Sequence, residues 1–253
     1  SFSIELNAVY MRWNYQKSDT YGNLKAMDWY SKNKLTVMGA TAGQTRWTLM
    51  PQNNSNISQI KSFALSSIEK DLDGLLLTLW DDDSPHFELY KRGIAAFAQY
   101  SWSGNSLPIE EFKKLFRYKN FGSQFEDDSY AFIDLLEQPV GIWLNMLLSE
   151  NGWRPGLSKK LNPLETDIID LPDLNKKGEW SKKHQTRINK AKKSLEITNK
   201  VETVINNLIE RESENLYLLE IYSQVNELTK FSSNAILKLE KVDFDSDLEH
   251  LKN

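Results

Sequence analysis

The stretch most suited to chemistry is an apolar run that ends in a tryptophan and three aspartates. The run Gly74–Leu79 is followed directly by Trp80, Asp81, Asp82 and Asp83. An indole ring can stack on the apolar CH face of a pyranose, and a carboxylate makes strong hydrogen bonds to sugar hydroxyls. Trp80 and Asp82 are therefore candidates for a carbohydrate-binding site at the end of this run. Alternatively, Trp80 covers the core and the aspartates only place negative charge at the N-terminus of the next helix.

Two other predicted strands carry aromatic candidates for the same site. Trp47 follows the second predicted strand and could form a wall of the pocket, although a buried strand-end tryptophan is an equally good interpretation. In the first predicted strand, Tyr10 and Trp13 must point to opposite faces because their spacing is odd. We favour Tyr10 as the residue that faces the site. No residue of this chain is assigned a catalytic role.

Composition argues against several other kinds of site. The chain of 253 residues has no Cys and three His, which excludes disulfides and thiol catalysis and leaves little for a His-rich metal site. The three aspartates with His86 and Glu88 lack the regular spacing and the Gly of a calcium-binding loop. We expect no metal and no cofactor.

Charge and hydropathy narrow the range of partners. The net charge of -4 lacks the excess of positive charge that is typical of nucleic-acid-binding proteins. The basic stretch Asn175–Glu196 has only Trp180 as an aromatic residue, so we interpret it as a solvated helical face. No stretch approaches the roughly 18 apolar residues that a membrane span needs. We therefore expect neither a nucleic acid partner nor a membrane span. The sequence does not indicate a cellular compartment.

The first hundred residues predict strands that alternate with helices. Apolar runs at Asn7–Trp13, Lys34–Ala42 and Asp73–Trp80 are typical of strands, and Gly22–Asn33 is helix-like. Strands that are apolar on both faces and separated by helices favour a parallel sheet. A second helix is predicted from apolar residues at helical spacing, namely Ile57, Ile60, Ala64, Leu65, Ile68 and Leu72.

After Trp80 the sequence is mostly helical. Pro85 and Pro108 are typical of first-turn positions and predict two helix starts, and Gly152–Gly178 is rich enough in Pro, Gly, Asn and Asp to predict an irregular connection. The last part of the chain predicts a helical hairpin or bundle with two apolar stripes. Their members are Val201, Val204, Ile205 and Leu208, and Leu218, Ile221, Tyr222, Val225 and Leu228.

Three strand–helix units leave the edges of a small parallel sheet open. They are a natural fraction of an eight-stranded barrel, which needs roughly 250 residues by itself. We therefore expect residues 1–105 to be the C-terminal half of a (β/α)8 TIM barrel whose other strands lie outside this chain, and residues 106–253 to be a mainly helical domain. The alternative is a small open α/β sheet with an appended bundle. In either case exposed sheet edges predict self-association.

The stretches GATAGQTRWTLMPQNN, from Gly39, and GLLLTLWDDDSPHFELYKRGIAAFAQYSW, from Gly74, have a recognisable order of motifs. Together they resemble the last strands of the glycoside hydrolase family 20 barrel, in its bacterial β-N-acetylhexosaminidase-like branch. The resemblance covers Asn7 to Trp102, and the helical C-terminal region is also similar to the domain that follows the barrel in these enzymes. It implies an amino-sugar glycoside as the partner, with Trp80, Asp82, Trp47 and Tyr10 on one wall of the sugar subsite.

The catalytic pair of that family is missing from this chain. The family uses an Asp-Glu dipeptide to orient the acetamido group and to protonate the leaving oxygen, and no Asp-Glu dipeptide occurs here. The resemblance thus implies either that the pair lies upstream of Ser1 in a retaining glycosidase, or that the protein is a carbohydrate-binding or scaffolding relative without the acid. We expect the isolated chain to be inactive. A third interpretation is an unrelated α/β domain with a helical bundle that binds another protein.

Overall fold

The structure is a computed structural model that describes most of the chain. It covers residues 7–15, 21–43, 49–51, 53–80, 86–103, 107–122, 131–149, 167–211 and 214–244. The chain divides into two compact units, one made of Ser1–Trp47 with Pro51–Asp128 and the other of Thr48–Met50 with Ser129–Asn253.

The first unit is mixed α/β, with strands and helices alternating as the sequence predicts. Its elements are β1 (Val9–Trp13), α1 (Tyr21–Lys32), β2 (Thr36–Ala42), α2 (Asn53–Glu69), β3 (Gly74–Thr78), a 3₁₀ turn (Phe87–Tyr90), α3 (Lys91–Ser103) and α4 (Ile109–Phe121). Helix α4 begins directly after Pro108, as predicted, because proline presets the backbone for a helix start. Pro85 lies outside the described residues.

The sheet of the first unit has the order β1-β2-β3, and both pairings are parallel. Val9 pairs with Thr36, and Met38 pairs with both Met11 and Gly74. This confirms the predicted parallel sheet. The sequential order follows from the two strand–helix connections, because each helix returns the chain to the start of the neighbouring strand.

One face of the sheet is covered by α2. The helix buries Ile57, Ile60, Phe63 and Ala64 completely. It approaches so closely that a Cβ added at Gly39 would lie 2.9 Å from Cε1 of Phe63. The glycine in β2 therefore makes room for the phenylalanine ring. Ile68, one of the apolar residues that predicted this helix, lies in the last turn of α2 with 44% of its surface exposed, and Phe63 fills the contact with the sheet.

The second unit is helical. It contains α5 (Phe132–Trp143), α6 (Glu179–Lys183), α7 (Gln185–Glu210) and α8 (Leu216–Phe244), together with an isolated antiparallel bridge between Leu148 and Ile168. Helices α7 and α8 pack along each other, and α5 packs against both. The predicted hairpin is confirmed by the burial of most members of the two apolar stripes, namely Val201, Ile205, Leu208, Leu218, Ile221, Tyr222 and Val225.

Two members of the apolar stripes are not buried, and Val204 is the less exposed of them. Leu228 was predicted to lie in the core, but it is 40% exposed because it lies off the α8 face that contacts α7.

The basic stretch Asn175–Glu196 lies on α6 and α7, where Lys182, Lys190 and Lys193 are exposed and Trp180 is buried. No described helix is both long enough and apolar enough to span a membrane.

The compact units divide later in the sequence than residue 105. Helix α4 belongs to the same unit as the sheet: the Tyr100 hydroxyl and the Lys61 ammonium group, on α3 and α2, both donate to the carbonyl of Leu107. The compact units are defined by contacts within this chain, whereas the expected boundary concerns the end of a barrel domain. The expected boundary between residues 105 and 106 stays a prediction.

Candidate functional site

The face of the sheet opposite α2, which we call the open face, is formed by alternate residues of the three strands. Gly39 faces α2, so its neighbours Met38 and Ala40 belong to the open face, and the parallel register extends the assignment to β1 and β3. Its residues are Val9, Met11, Trp13, Thr36, Met38, Ala40, Ala42, Gly74, Leu76 and Thr78.

The open face is mostly apolar and is accessible along β1 and at Leu76, whereas Ala40 and Ala42 of β2 are completely buried. The exposed fraction is 63% for Val9, 45% for Met11, 47% for Trp13 and 39% for Leu76. The described helices that pack on each other beside the sheet, α2 and α3, are not on this side, since Phe63 of α2 meets the sheet at Gly39 and Gly93 of α3 lies beside Gly43. An exposed row of large apolar side chains usually marks a binding surface or an interface.

An aromatic cluster stands at the carboxyl end of the open face. It consists of Trp13 at the end of β1, Tyr15 two residues later, and Trp80 two residues beyond β3. The ring centroids of Trp13 and Trp80 are 5.9 Å apart, those of Trp13 and Tyr15 are 5.9 Å apart, and those of Tyr15 and Trp80 are 5.7 Å apart. Rings at these separations touch one another. A ligand therefore has no room between them and must bind on the outer ring surfaces.

Trp80 is held at two points. Its indole Nε1 donates to Oγ1 of Thr78 at 3.1 Å, and its backbone carbonyl accepts a hydrogen bond from the hydroxyl of Tyr90. Tyr90 is almost completely buried on the 3₁₀ turn that precedes α3. The ring of Trp80 is only partly buried, so it is fixed in place while part of its surface stays accessible.

The phenol of Tyr15 is desolvated within the cluster. Burial raises the pKa of Tyr15 above its ordinary value, and hydrogen bonding with the side chains of Thr78, Trp80 and Trp13 offsets only part of that rise. The phenol is therefore neutral at physiological pH. Its hydroxyl is engaged by these three side chains within the aromatic cluster.

The structure describes two of the four predicted site residues. Trp80 lies in the aromatic cluster. Tyr10 lies on the face of β1 that α2 and α1 cover, with its ring centroid 6.3 Å from that of Tyr30 on α1, so the structure does not bring it together with Trp80. Trp47 and Asp82 lie outside the described residues.

Sequence reasoning missed Trp13 and Tyr15. Strand alternation correctly separates Tyr10 from Trp13, but the preference for Tyr10 selects the face away from Trp80. The sequence signal that could have pointed to Trp13 was the odd spacing between Tyr10 and Trp13, which places the two residues on opposite faces of β1. In a parallel pair, residues of equal register share a face, and Trp13 shares its row with Ala40 and Leu76, two residues of the open face.

A second group of titratable residues lies in the helical unit and has a structural role. His184 Nε2 lies 2.9 Å from Oδ1 of Asp170, and the imidazole packs on the Trp180 ring at a centroid distance of 4.7 Å. Burial would raise the pKa of Asp170, but hydrogen bonds from Lys183 and His184 hold it below its ordinary value. Only 6% of the His184 side chain is exposed. This arrangement fastens the chain before α6 to the start of α7 and offers little access to a substrate.

Metal ligands are not grouped in the described part of the chain. Among those residues, no set of three or more His, Cys, Asp or Glu side chains is arranged to hold a metal ion. The run Asp81–Asp83 lies outside them. The expectation of no metal and no cofactor therefore stays a prediction.

No protein-family model matches this chain, and no curated protein matches it. The resemblance to glycoside hydrolase family 20 rests on the motifs quoted above and stays a prediction.

Proposed function

We propose that the first unit forms part of a (β/α)8 barrel and supplies one wall of a sugar-binding site. The observation that carries the proposal is the aromatic cluster of Trp13, Tyr15 and Trp80 at the carboxyl end of a mostly apolar open face. In barrels of this class, the site is built where the parallel strands end.

The arrangement of layers favours a barrel over an open doubly wound sheet. Open parallel sheets carry helices on both faces, whereas barrels carry them only on the outside and fill the inside with apolar side chains. Here α2 covers one face and the other exposes Val9, Met11 and Leu76. The sequential strand order is that of neighbouring barrel strands. Further strands would complete the cylinder and enclose the open face.

Carbohydrate is the ligand class that suits the aromatic cluster. Its rings offer flat apolar surfaces, and the neutral Tyr15 hydroxyl is hydrogen-bonded within the cluster and helps to hold the rings together. Trp13 has the more accessible ring and takes the role of the stacking surface, with Trp80 packed next to it. The proposed carboxylate partner is Asp82, two residues after Trp80. An amino-sugar glycoside, as implied by the resemblance, combines the apolar pyranose face and hydroxyls that such a wall would bind.

The reaction proposed for the whole protein is retaining hydrolysis of a β-N-acetylhexosaminide. The acid would come from outside this chain, which has no Asp-Glu dipeptide, and the chain by itself is expected to release no product from a chromogenic N-acetylglucosaminide. The same missing dipeptide favours a second candidate, a carbohydrate-binding or scaffolding protein that never catalyses.

Chitotriose binding to the chain tests the proposal. We expect Trp13→Ala to weaken binding about tenfold, because losing an aromatic stacking surface costs about 1.4 kcal/mol. The matched control is Trp29→Ala, since Trp29 is exposed to almost the same extent, 48% against 47% for Trp13, but lies on α1 and outside the aromatic cluster. Calorimetric titration gives both affinities.

Two results would contradict the proposal. One is a wild-type chain that does not bind chitotriose at millimolar concentration. The other is an equal loss of affinity for Trp13→Ala and Trp29→Ala, which would mean that exposed tryptophans bind the sugar non-specifically. Asp82→Ala then separates the carboxylate from the rings: it should weaken binding in the chain and lower turnover in a catalytic whole protein.

A further inference from the structure

We propose that Thr78 is a positioning residue that sets the orientation of the Trp80 ring through a chain of two hydrogen bonds. The inference rests on the proposed function, because it concerns how the same aromatic cluster is made ready for a sugar. Thr78 is the last residue of β3 and was not a candidate on sequence grounds.

The chain of hydrogen bonds runs from the indole into the sheet. Trp80 Nε1 donates to Oγ1 of Thr78 at 3.1 Å, and that hydroxyl donates to the backbone carbonyl of Thr41 at 3.0 Å. The carbonyl of Thr78 itself accepts from the amide of Gly43 at 2.8 Å. Thr78 is thus fastened to β2 and its continuation by both its backbone and its side chain.

The direction of the chain follows from the chemistry of its members. An indole nitrogen can only donate, and a carbonyl can only accept. A threonine hydroxyl has one proton and two lone pairs, so giving the proton to Thr41 leaves a lone pair directed at Trp80. No other assignment of the protons satisfies both contacts. The hydroxyl therefore acts as an oriented acceptor that favours one rotamer of the indole.

The orientation of Trp80 determines the shape of the whole aromatic cluster. Trp13 and Tyr15 both contact the Trp80 ring, with centroids 5.9 Å and 5.7 Å away. The Tyr90 hydroxyl holds the Trp80 backbone but leaves the side-chain torsions free. Thr78 restrains the ring together with Tyr15, whose side chain also hydrogen-bonds with that of Trp80, and a rotated Trp80 would leave Trp13 without its support.

Two substitutions at one position separate the hydroxyl from the rest of the side chain. Thr78→Val keeps the branched shape, which suits a strand, and removes the acceptor. Thr78→Ser keeps the acceptor and loses a methyl group. The matched control is Thr36→Val, which makes the same chemical change on the open face. Thr36 is exposed and is the first residue of β2, at the opposite end of the sheet from Thr78.

The direct readout is the indole N–H resonance of Trp80 in the ¹⁵N-tryptophan-labelled chain. The chain has eight tryptophans, and the crosspeak of Trp80 is assigned as the one lost in Trp80→Phe. We expect Thr78→Val to shift this crosspeak and to speed its hydrogen exchange, and Thr78→Ser and Thr36→Val to leave it in place. Circular dichroism checks that each variant is folded.

The functional readout is chitotriose affinity. Thr78→Val should bind about three- to tenfold more weakly, the effect of losing one hydrogen bond, and Thr78→Ser should restore most of the affinity. In a Trp80→Phe background, Thr78→Val should have little further effect, because the phenylalanine has no N–H to orient.

The outcomes distinguish this inference from the proposed function. An unchanged Trp80 crosspeak in folded Thr78→Val overturns the positioning role whatever the chain binds. A shifted crosspeak with unchanged affinity overturns its importance for the sugar. A wild-type chain that binds no chitotriose overturns the proposed function, and the crosspeak alone then decides whether Thr78 orients the ring.

Discussion

The two faces of the sheet in the first unit use the same three strands for different purposes. On the covered face, Phe63 packs against Gly39, and the Gln59 amide donates to the Thr41 hydroxyl at 3.4 Å, so this face holds both apolar and polar contacts. On the open face, Val9 and Met11 stay exposed. Burial on one side holds the sheet together, and accessibility on the other leaves room for a ligand or for further strands.

This difference identifies where stability and function reside. Burying apolar surface contributes about 25 cal/mol per Å², so the side that α2 covers supplies most of the stabilisation of the sheet. The open face contributes little until something covers it. An exposed apolar surface of this kind usually marks a place for a partner, a ligand or further strands.

The largest effect is expected for Phe63→Ala. Phe63 is completely buried, and a phenylalanine truncated in a core costs about 3–5 kcal/mol. Leu76→Ala on the open face, where the residue is 39% exposed, should cost about 1 kcal/mol or less. Urea unfolding followed by circular dichroism measures both. Similar costs for the two variants would mean that the open face is covered in solution.

A smaller effect is expected when one isosteric change is made on each face. Val37→Thr places a hydroxyl in a position of β2 that is 1% exposed and should destabilise by about 1–3 kcal/mol. Val9→Thr makes the same change at a position that is 63% exposed and should stay within about 0.5 kcal/mol. The difference between the two midpoints in urea measures how open the second face is.

The smallest effect concerns the alkaline limit of stability. Burial raises the pKa of Tyr15 above 10.0, so the folded chain keeps this proton at pH values where the unfolded chain loses it. The contribution is complete below the unfolded pKa and is lost as the pH rises through the folded pKa. Stability should therefore fall less steeply above pH 10 in Tyr15→Phe than in the wild type. Equal slopes would show that the phenol is solvated on the open face.

Much of the fold was predictable because local patterns determine it. The apolar runs predicted three strands, and β1, β2 and β3 lie inside those runs. Helix α4 begins after Pro108, where the rigid ring favours a first turn. The hairpin of α7 and α8 followed from two stripes at helical spacing. Leu228 was misplaced, because periodicity alone does not indicate where a helix leaves its neighbour.

The site was predictable only in part because it depends on contacts between distant residues. Trp80 could be selected from its position at the end of an apolar run. Its neighbours Trp13 and Tyr15 lie more than sixty residues away in the sequence, and only the register of three strands brings them together. The role of Thr78 was hidden for the same reason, since its partner Thr41 belongs to another strand.

The strand order also decides what kind of assembly the sheet edges can form. Among the described strands, β1 and β3 lie at the two edges and run in the same direction, so the edges are different surfaces. Joining β3 of one copy to β1 of the next continues the parallel sheet, and such a head-to-tail contact makes rings or open filaments. A closed pair would instead have to place like edges together in antiparallel fashion, a ladder found nowhere in the sheet itself.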